Sequence, residues 1–485
     1  MKKIIPAVLP VILLASVFAA CGNGHGAGGN TSGGAVGTEP GNIFYRDDGL
    51  PSRDFDGADF IFLTATDITG GEMTAMDSEE VSDPLESSVH LRTQYVEERF
   101  GVKISDYKRH YADTYNAIYT SVSAQDNAFN ACYGFITWML PLAANGCFTE
   151  FGNIPYLDLS KEWWDQGAKK AFSIGNRLFY MTGDANMFYN DYTWVLYFNK
   201  GILKDIQEDE PYGLVDSGDW TVDEMFRLGV RAVKNLDSDP TVDPEYDRVG
   251  MVTHQYTANA LVYGCNELFF RKNEDDIPEI SFDSERFENV CRKITGIFHN
   301  DSFMYDTTDI NGNGANIEQV FTSDRALFCG EVLQCARRYR GMETDFGILP
   351  YPKYDTAQKD YVTYSLEMVY PVAVPSYFSG AGLEDAGIIL EAMHSASHGS
   401  LVKAYFDAAL TSKRFLRDGR SEDMLKIIFD TRCYPLATMK DFGGCVSQIV
   451  YNIRTNNPTF SSFIASNRAK TAAEIEKLTD QISDL

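Results

Sequence analysis

Apolar runs and helical spacings alternate along the first third of the chain. Ala58 to Thr64 (Ala-Asp-Phe-Ile-Phe-Leu-Thr) lies between polar turns and predicts a buried strand. Leu85 to Phe100 carries apolar residues at helical spacing (Val89, Tyr95, Val96, Phe100) and stops at Gly101, a natural helix terminator. Val102-Lys-Ile104 opens the next strand, Tyr111 to Ala124 reads as a helix, and Asn130 to Thr137 as a third strand. Strands alternating with helices imply parallel βαβ units and an α/β sheet. From Leu178 to Asn199, and again from Tyr361 to Val374, the pattern becomes near-continuous strand. Helical segments fall at Val222 to Asn235, Phe287 to His299, Leu383 to Lys413, Ser421 to Phe429 and Lys470 to Ile482. The Val222 helix opens with Thr221 and Glu224 at capping-box spacing. Two strand-rich segments between helical blocks describe a chain that crosses twice between two lobes.

The N-terminus follows a different grammar. Lys2 and Lys3 precede an uncharged, mostly apolar run from Ile4 to Ala20, and Ala19-Ala20 stand directly before Cys21. That order reads as a secretory signal peptide over 1–20. As a membrane span the run barely covers a ~30 Å hydrocarbon core, and Pro6 and Pro10 weaken it as a helix. The Ala-Ala-Cys ending resembles the bacterial lipobox, with Phe18 where Leu, Val or Ile is usual. It implies lipidation of Cys21 and a chain held at the outer face of the cytoplasmic membrane by buried methylenes. Residues 22–42, rich in Gly, Asn, Ser and Thr, have no apolar period and read as a flexible spacer.

Composition narrows the remaining body of about 440 residues, which is enough for two or three domains. A formal charge of −27, from 69 acidic and 42 basic residues, argues against nucleic-acid binding and against attraction to anionic lipid. Aromatics reach 13%, with 27 Tyr and 31 Phe, which suits a cleft that stacks on the apolar faces of sugars. Of nine cysteines, eight remain once Cys21 is assigned to lipid. Cys329/Cys335 and Cys433/Cys445 are close enough in sequence to pair, but a body this large needs no disulfides, and mostly free, buried thiols are expected. No CxxC occurs, so neither a redox motif nor a zinc ribbon is signalled.

Several phrases then resemble one family, the extracellular solute-binding lipoproteins of ABC transporters (family 1, with maltose-type sugar receptors among its relatives). They are Ile154-Pro-Tyr-Leu-Asp-Leu-Ser-Lys-Glu-Trp-Trp-Asp165, with Glu162 where Pro is common; Tyr197-Phe-Asn-Lys200; Trp220-Thr221 with Asp223-Glu224; Phe321 to Phe328, with Asp324 where Gly is usual; and Gly347-Ile-Leu-Pro-Tyr-Pro-Lys353. The resemblance spans roughly 55–460, in family order. It implies an α/β, two-lobed periplasmic-binding-protein fold of type II, its lobes joined by crossing strands and a hinge. Lobe one would hold 43–185 plus 366–430, and lobe two 190–365 plus 431–485. It further implies a monomeric receptor, without a cofactor, that captures a small molecule, an oligosaccharide by analogy, for a transporter permease.

Ligand sites favour domain interfaces and the carboxyl ends of parallel strands. That rule selects Thr66 and Asp67 after the first strand, Trp138 after the third, Asp184, Tyr189, Tyr192 and Glu367 in the crossing segments, and Glu331 and Tyr434 beyond them. Trp138 is the leading candidate, with a core Trp as its alternative; Trp163 and Trp164 read as packing residues. Two metal-like patterns are weak. Asp309 to Gly314 matches half of an EF-hand loop, but position twelve is Val320 rather than a bidentate Glu. Glu391, His394 and His398 share a helical spacing but have no fourth ligand beside them. G-x-S-x-G, H-E-x-x-H, P-loop and dinucleotide fingerprints are absent, so no enzyme is expected. The alternatives are a surface hydrolase acting on glycans and a binding lipoprotein that feeds a sensor.

Overall fold

Strands that are distant in sequence assemble into two sheets. The computed structural model describes residues 43–66, 84–237, 239–300, 302–307, 316–366, 368–410, 419–457 and 459–485. Cys21, Asp67, Glu367 and the Asp309–Gly314 loop lie outside them. The strands are β1 (Asp59–Thr66), β2 (Lys103–His110), β3 (Ala131–Tyr133), β4 (Trp194–Asn199), β5 (Val249–Thr253), β6 (Phe270–Lys272), β7 (Pro278–Ile280), β8 (Met304–Asp306), β9 (Ala326–Val332), β10 (Phe346–Leu349), β11 (Thr363–Tyr364), β12 (Val372–Ala373) and β13 (Arg432–Cys433).

The first sheet has the order β12-β3-β1-β2, with β1 parallel to both β2 and β3. A parallel pair needs a crossover, and the Pro84–Phe100 helix supplies it, burying Val89, Tyr95, Val96 and Phe100. Gly101 ends that helix in the left-handed region (φ +60°), and the Val102 N–H closes the turn on the Glu97 carbonyl at 3.2 Å. The second sheet has the order β10-β4-β9-β5-β8 and is mixed: β4 runs antiparallel to β9 and β10, while β5 is parallel to β8 and β9. All six residues of β4 are buried, which is why its sequence reads as an unbroken apolar run. The fold class is α/β, as expected.

The crossing segments differ from the expected long strands. Met181 and Val372 exchange backbone bonds of 2.9 and 2.8 Å, and the Leu366 N–H reaches the Tyr192 carbonyl at 3.1 Å. Between them Asp184–Tyr192 is 3-10 helical, and only β11 and β12 remain of the run from Tyr361 to Val374. A connecting segment has little chain beside it to complete a ladder, so pairing stays local. A further stretch, β13, runs parallel to β11 (Thr363↔Arg432, Tyr364↔Cys433), so three segments meet at the junction rather than two.

Local departures have similar causes. The third strand ends at Tyr133, and Ile136–Ala144 is helical, so Trp138 lies in a first helical turn rather than at a strand end. The run from Leu383 splits into helices Ala381–Gly399 and Leu401–Leu410 at Ser400, whose hydroxyl donates to the Ala396 carbonyl at 2.8 Å. Gly419–Asp430, which the sequence division puts in lobe one, packs on β10 of the second sheet. Half of the capping box forms: Thr221 Oγ1 accepts from the Glu224 N–H at 3.3 Å, while the Glu224 carboxylate turns to Arg227. The eight described cysteines are free, seven of them buried. Among the described residues no helix is long and apolar enough to cross a membrane.

Candidate functional site

A cavity of about 710 Å³ opens where elements from both sheets converge. From the first sheet, the turn and helix after β3 contribute Phe135, Thr137 and Pro141. From the second, the segment after β5 contributes Gln255, Tyr256, Asn259 and Tyr263. Tyr364 of β11 joins them, and residues 437–441 with the Cys445–Arg454 helix close the remaining side. β3 and β5 both point their carboxyl ends here, where a parallel arrangement leaves a crevice between loops.

The walls are held from behind. Trp194, fully buried at the start of β4, lies nearly parallel to Tyr364 (centroids 6.5 Å, 14°) and packs against His254 at 5.1 Å and Tyr256 at 6.4 Å. His254 Nε2 meets Glu331 Oε1 at 3.3 Å. Burial works to raise the Glu331 carboxyl, but His254 and the Val332 N–H outweigh it and hold the group below its ordinary range. On the opposite wall Asp441 accepts from the Val446 N–H (2.8 Å), the Ser447 N–H (3.0 Å) and the Ser447 hydroxyl (2.7 Å), fixing the start of the helix. Arg454 donates to Asp306 at 2.7 Å. The lining is therefore aromatic rings interspersed with neutral amides and hydroxyls, and two of its charged groups, Asp441 and Arg454, are engaged with the protein.

No protein-family model matches the chain, and no curated protein matches it. Solved structures do. A cyclo/maltodextrin-binding protein complexed with maltotetraose superposes with a TM-score of 0.56 at 12% identity, over 88% of this chain and 96% of that one. The cyclic alpha-maltosyl-1,6-maltose binding protein from Arthrobacter globiformis gives 0.56 at 10% identity, over 88% and 100%. M. tuberculosis UspC gives 0.55 at 12%, over 86% and 100%. This is the two-lobed periplasmic-binding-protein fold. At such identities the likeness is one of fold, and in the two-lobed fold the cavity lies between the sheets of the two lobes.

The residues expected from sequence disperse around this cavity. Trp138 is half-buried and packs edge-on against Phe135 at 5.3 Å, so it supports a lining residue without lining the cavity itself. Glu331 stands behind the wall through His254. Thr66 ends β1, its hydroxyl donating to the Arg109 carbonyl at 3.3 Å, and Tyr192 is buried in the crossing segment. Asp184, Tyr189 and Tyr434 gather instead around the half-buried Arg432, and none of the three lines the cavity. Arg432 pairs with Asp165 at 2.5 Å and packs over the Tyr189 ring at 4.4 Å, while the Tyr434 hydroxyl donates to Asp165 at 2.8 Å. Asp184 Oδ2 is 2.6 Å from His398 Nδ1. The same strand-end rule also covers the segment after β5, which lines the cavity. Val249-Gly-Met-Val-Thr253 is short and broken by glycine, so its strand signal is faint.

On the helix face of Glu391, His394 and His398, each side chain is engaged with the protein. Glu391, 0% exposed, accepts from the indole N–H groups of Trp163 and Trp164, each at 2.9 Å, and from the Asp158 N–H at 3.3 Å. His394 stacks on Trp164 at 3.8 Å with Nδ1 on the Leu390 carbonyl at 2.8 Å, and His398 turns to Asp184. Gly387 lets the helix approach closely: a Cβ there would meet the Pro155 carbonyl at 1.8 Å. The tryptophan pair thus packs as expected, and its buried acceptor is Glu391.

Proposed function

We propose that the chain is an extracytoplasmic solute-binding lipoprotein that captures a sugar between its lobes and delivers it to an ABC importer. The observation that carries this reading is the cavity: aromatic rings and neutral hydrogen-bonding groups from both sheets, converging beside three crossing segments. Rings offer flat apolar faces to the C–H faces of a sugar, while amides and hydroxyls match its rim. The structural neighbours support the same ligand class, among them the protein complexed with maltotetraose and a Listeria monocytogenes ABC substrate-binding protein in complex with cycloalternan. A ligand touching both walls stabilises the closed arrangement only through contacts that are better there than in the open one. Cys21 would carry the lipid, and residues 22–42 would let the body swing to a permease.

A thermal-shift screen of the full chain against neutral oligosaccharides, peptides and divalent metals tests the ligand class. A ligand at a hundredfold excess over Kd adds about 2.7 kcal/mol to native stability, so sugars are expected to raise the melting temperature. A shift with peptides and none with sugars would refute the carbohydrate reading, and recovery of shortened sugars would make the protein a hydrolase. Membrane fractionation tests the anchor: Cys21→Ala is expected to move the protein into the soluble fraction, and retention in the membrane would count against lipidation.

A further inference from the structure

Three charged residues line the cavity, and Lys440 differs from the other two. Asp441 holds the Val446 and Ser447 N–H groups and the Ser447 hydroxyl, and Arg454 donates to Asp306. Among the described residues the Lys440 ammonium has no ion pair or hydrogen bond; it stands 5.7 Å from the centre of the Phe442 ring. Lys440 also marks where the cavity continues. A second cavity of about 390 Å³ shares Pro141 and Lys440 with the first and is walled by the Phe460–Ser483 helix through Glu474, Lys477 and Gln481. One Glu474 oxygen accepts from the Gly443 N–H at 3.0 Å, and the exposed Lys477 has no ion pair among the described residues. Two unpaired ammonium groups therefore flank the second cavity, on a chain whose formal charge is −27. Lys440 is half-buried, so it has lost hydration without gaining a partner, and its flexible four-carbon stem leaves the ammonium free to turn toward a ligand.

We propose that the captured sugar is acidic: an oligosaccharide whose anionic substituent, a carboxylate or a sulfate, is received by Lys440 where the two cavities adjoin. This rests on the sugar-binding reading and narrows it. Rings and amides hold the sugar units, and the ammonium supplies a charge-assisted hydrogen bond to the anion. A neutral sugar in the same place leaves the ammonium without a partner, which is the source of the discrimination. The acidic surface beyond the cavity is screened over about 8 Å at physiological salt, so it slows approach without cancelling the contact.

Calorimetric titration of the full chain at pH 7 tests the assignment. The acidic probes are oligomers of galacturonate, mannuronate and guluronate, glucuronate-substituted xylo-oligosaccharides and sulfated carrageenan oligosaccharides. The neutral ones are maltohexaose, cellohexaose, xylohexaose and methyl-esterified oligogalacturonides, which keep the sugar backbone and lose the charge. At least one acidic probe is expected to bind, more tightly than the neutral probes and less tightly as salt rises. Carboxylated and sulfated probes separate the two sources of the anion. Lys440→Gln is expected to weaken that binding about tenfold, with the ligand-free melting temperature unchanged, since the ammonium has no protein partner to lose. Lys440→Arg keeps the charge and is expected to recover much of the affinity. Binding of neutral probes alone overturns the assignment and leaves the sugar reading intact; so does equal affinity in Lys440→Gln, or a weakening matched by loss of ligand-free stability. Failure of the unmodified protein to bind any of these sugars overturns the sugar reading and this inference together.

Discussion

Glu391→Ala is expected to lower the unfolding free energy by about 4 kcal/mol, read as a fall in the urea midpoint. The carboxylate lies at the centre of a packed junction, 0% exposed, and three N–H groups from Asp158, Trp163 and Trp164 converge on its two oxygens. Alanine leaves both indole donors buried without acceptors, at about 1–3 kcal/mol each, and opens a void beside Trp164. Glu391→Gln keeps the volume but one of its two terminal atoms is a donor, so an indole N–H would face an NH₂; a loss of roughly 1–3 kcal/mol is expected.

The same helix predicts a two-sided pH profile. Burial is the main cause that pushes the Glu391 carboxyl up from 4.5 to about 7, against the opposing indole and backbone bonds. A raised carboxyl contributes stability that is full below its unfolded value of 4.5 and is lost as pH climbs through 7. His394 moves the other way: burial lowers it from 6.5 to about 3. Its contribution is full above 6.5 and is lost as pH falls toward 3. Between 4.5 and 6.5 the two slopes oppose each other, so these two groups predict a plateau there, with a fall on either side. Urea midpoints measured across pH check this. Glu391→Gln should flatten the alkaline fall, and an unchanged alkaline limb would show that this carboxyl titrates normally.

Arg432→Met is expected to lower stability by about 3–5 kcal/mol, the range for removing one partner of a buried ion pair. Arg432 is bonded to Asp165 and Asn190, and the rings of Tyr189, Phe429 and Tyr434 surround its guanidinium. Burial works against the cation, yet Tyr434, Asp165 and Tyr189 outweigh it and raise its pKa. Methionine retains much of the volume but leaves the Asp165 carboxylate buried with its remaining donors, the Ala168 N–H and the Tyr434 hydroxyl. Because β13 pairs with β11 at the junction of the crossing segments, a loosened β13 should also show faster amide exchange at Thr363 and Ser365, whose N–H groups bond to the carbonyls of Thr431 and Cys433. A midpoint shift under 1 kcal/mol would mean that the pair contributes little beyond its packing.

Legibility followed the range of the interactions involved. β1 and β4 were readable because burial on both faces writes an apolar run into consecutive residues. The Pro84–Phe100 helix was readable because its periodicity and its Gly101 stop are local. The third strand was overextended because Phe135 to Met139 is apolar enough for either strand or helix, and only packing against the neighbouring elements decides between them. The crossing segments were recognised as crossings, but their hydrogen bonding was not, since it depends on which distant chain lies alongside.

By itself the sequence determined an alternating α/β body, two crossing segments, buried free thiols and an acidic surface, because composition and periodicity act through near neighbours. It also marked the tryptophan pair as packing residues. Only the tertiary structure decided what Trp163 and Trp164 pack against, an acceptor 228 and 227 residues away on the Ala381–Gly399 helix. It also decided which residues share the cavity, drawing Phe135, Tyr256, Asn259, Tyr364 and Tyr451 from four separate segments, and it gathered Asp184, Tyr189 and Tyr434 around Arg432. The physical reason is the same in each case: a site made where chain segments meet has no period and no spacing, and its members become neighbours only when the sheets have formed.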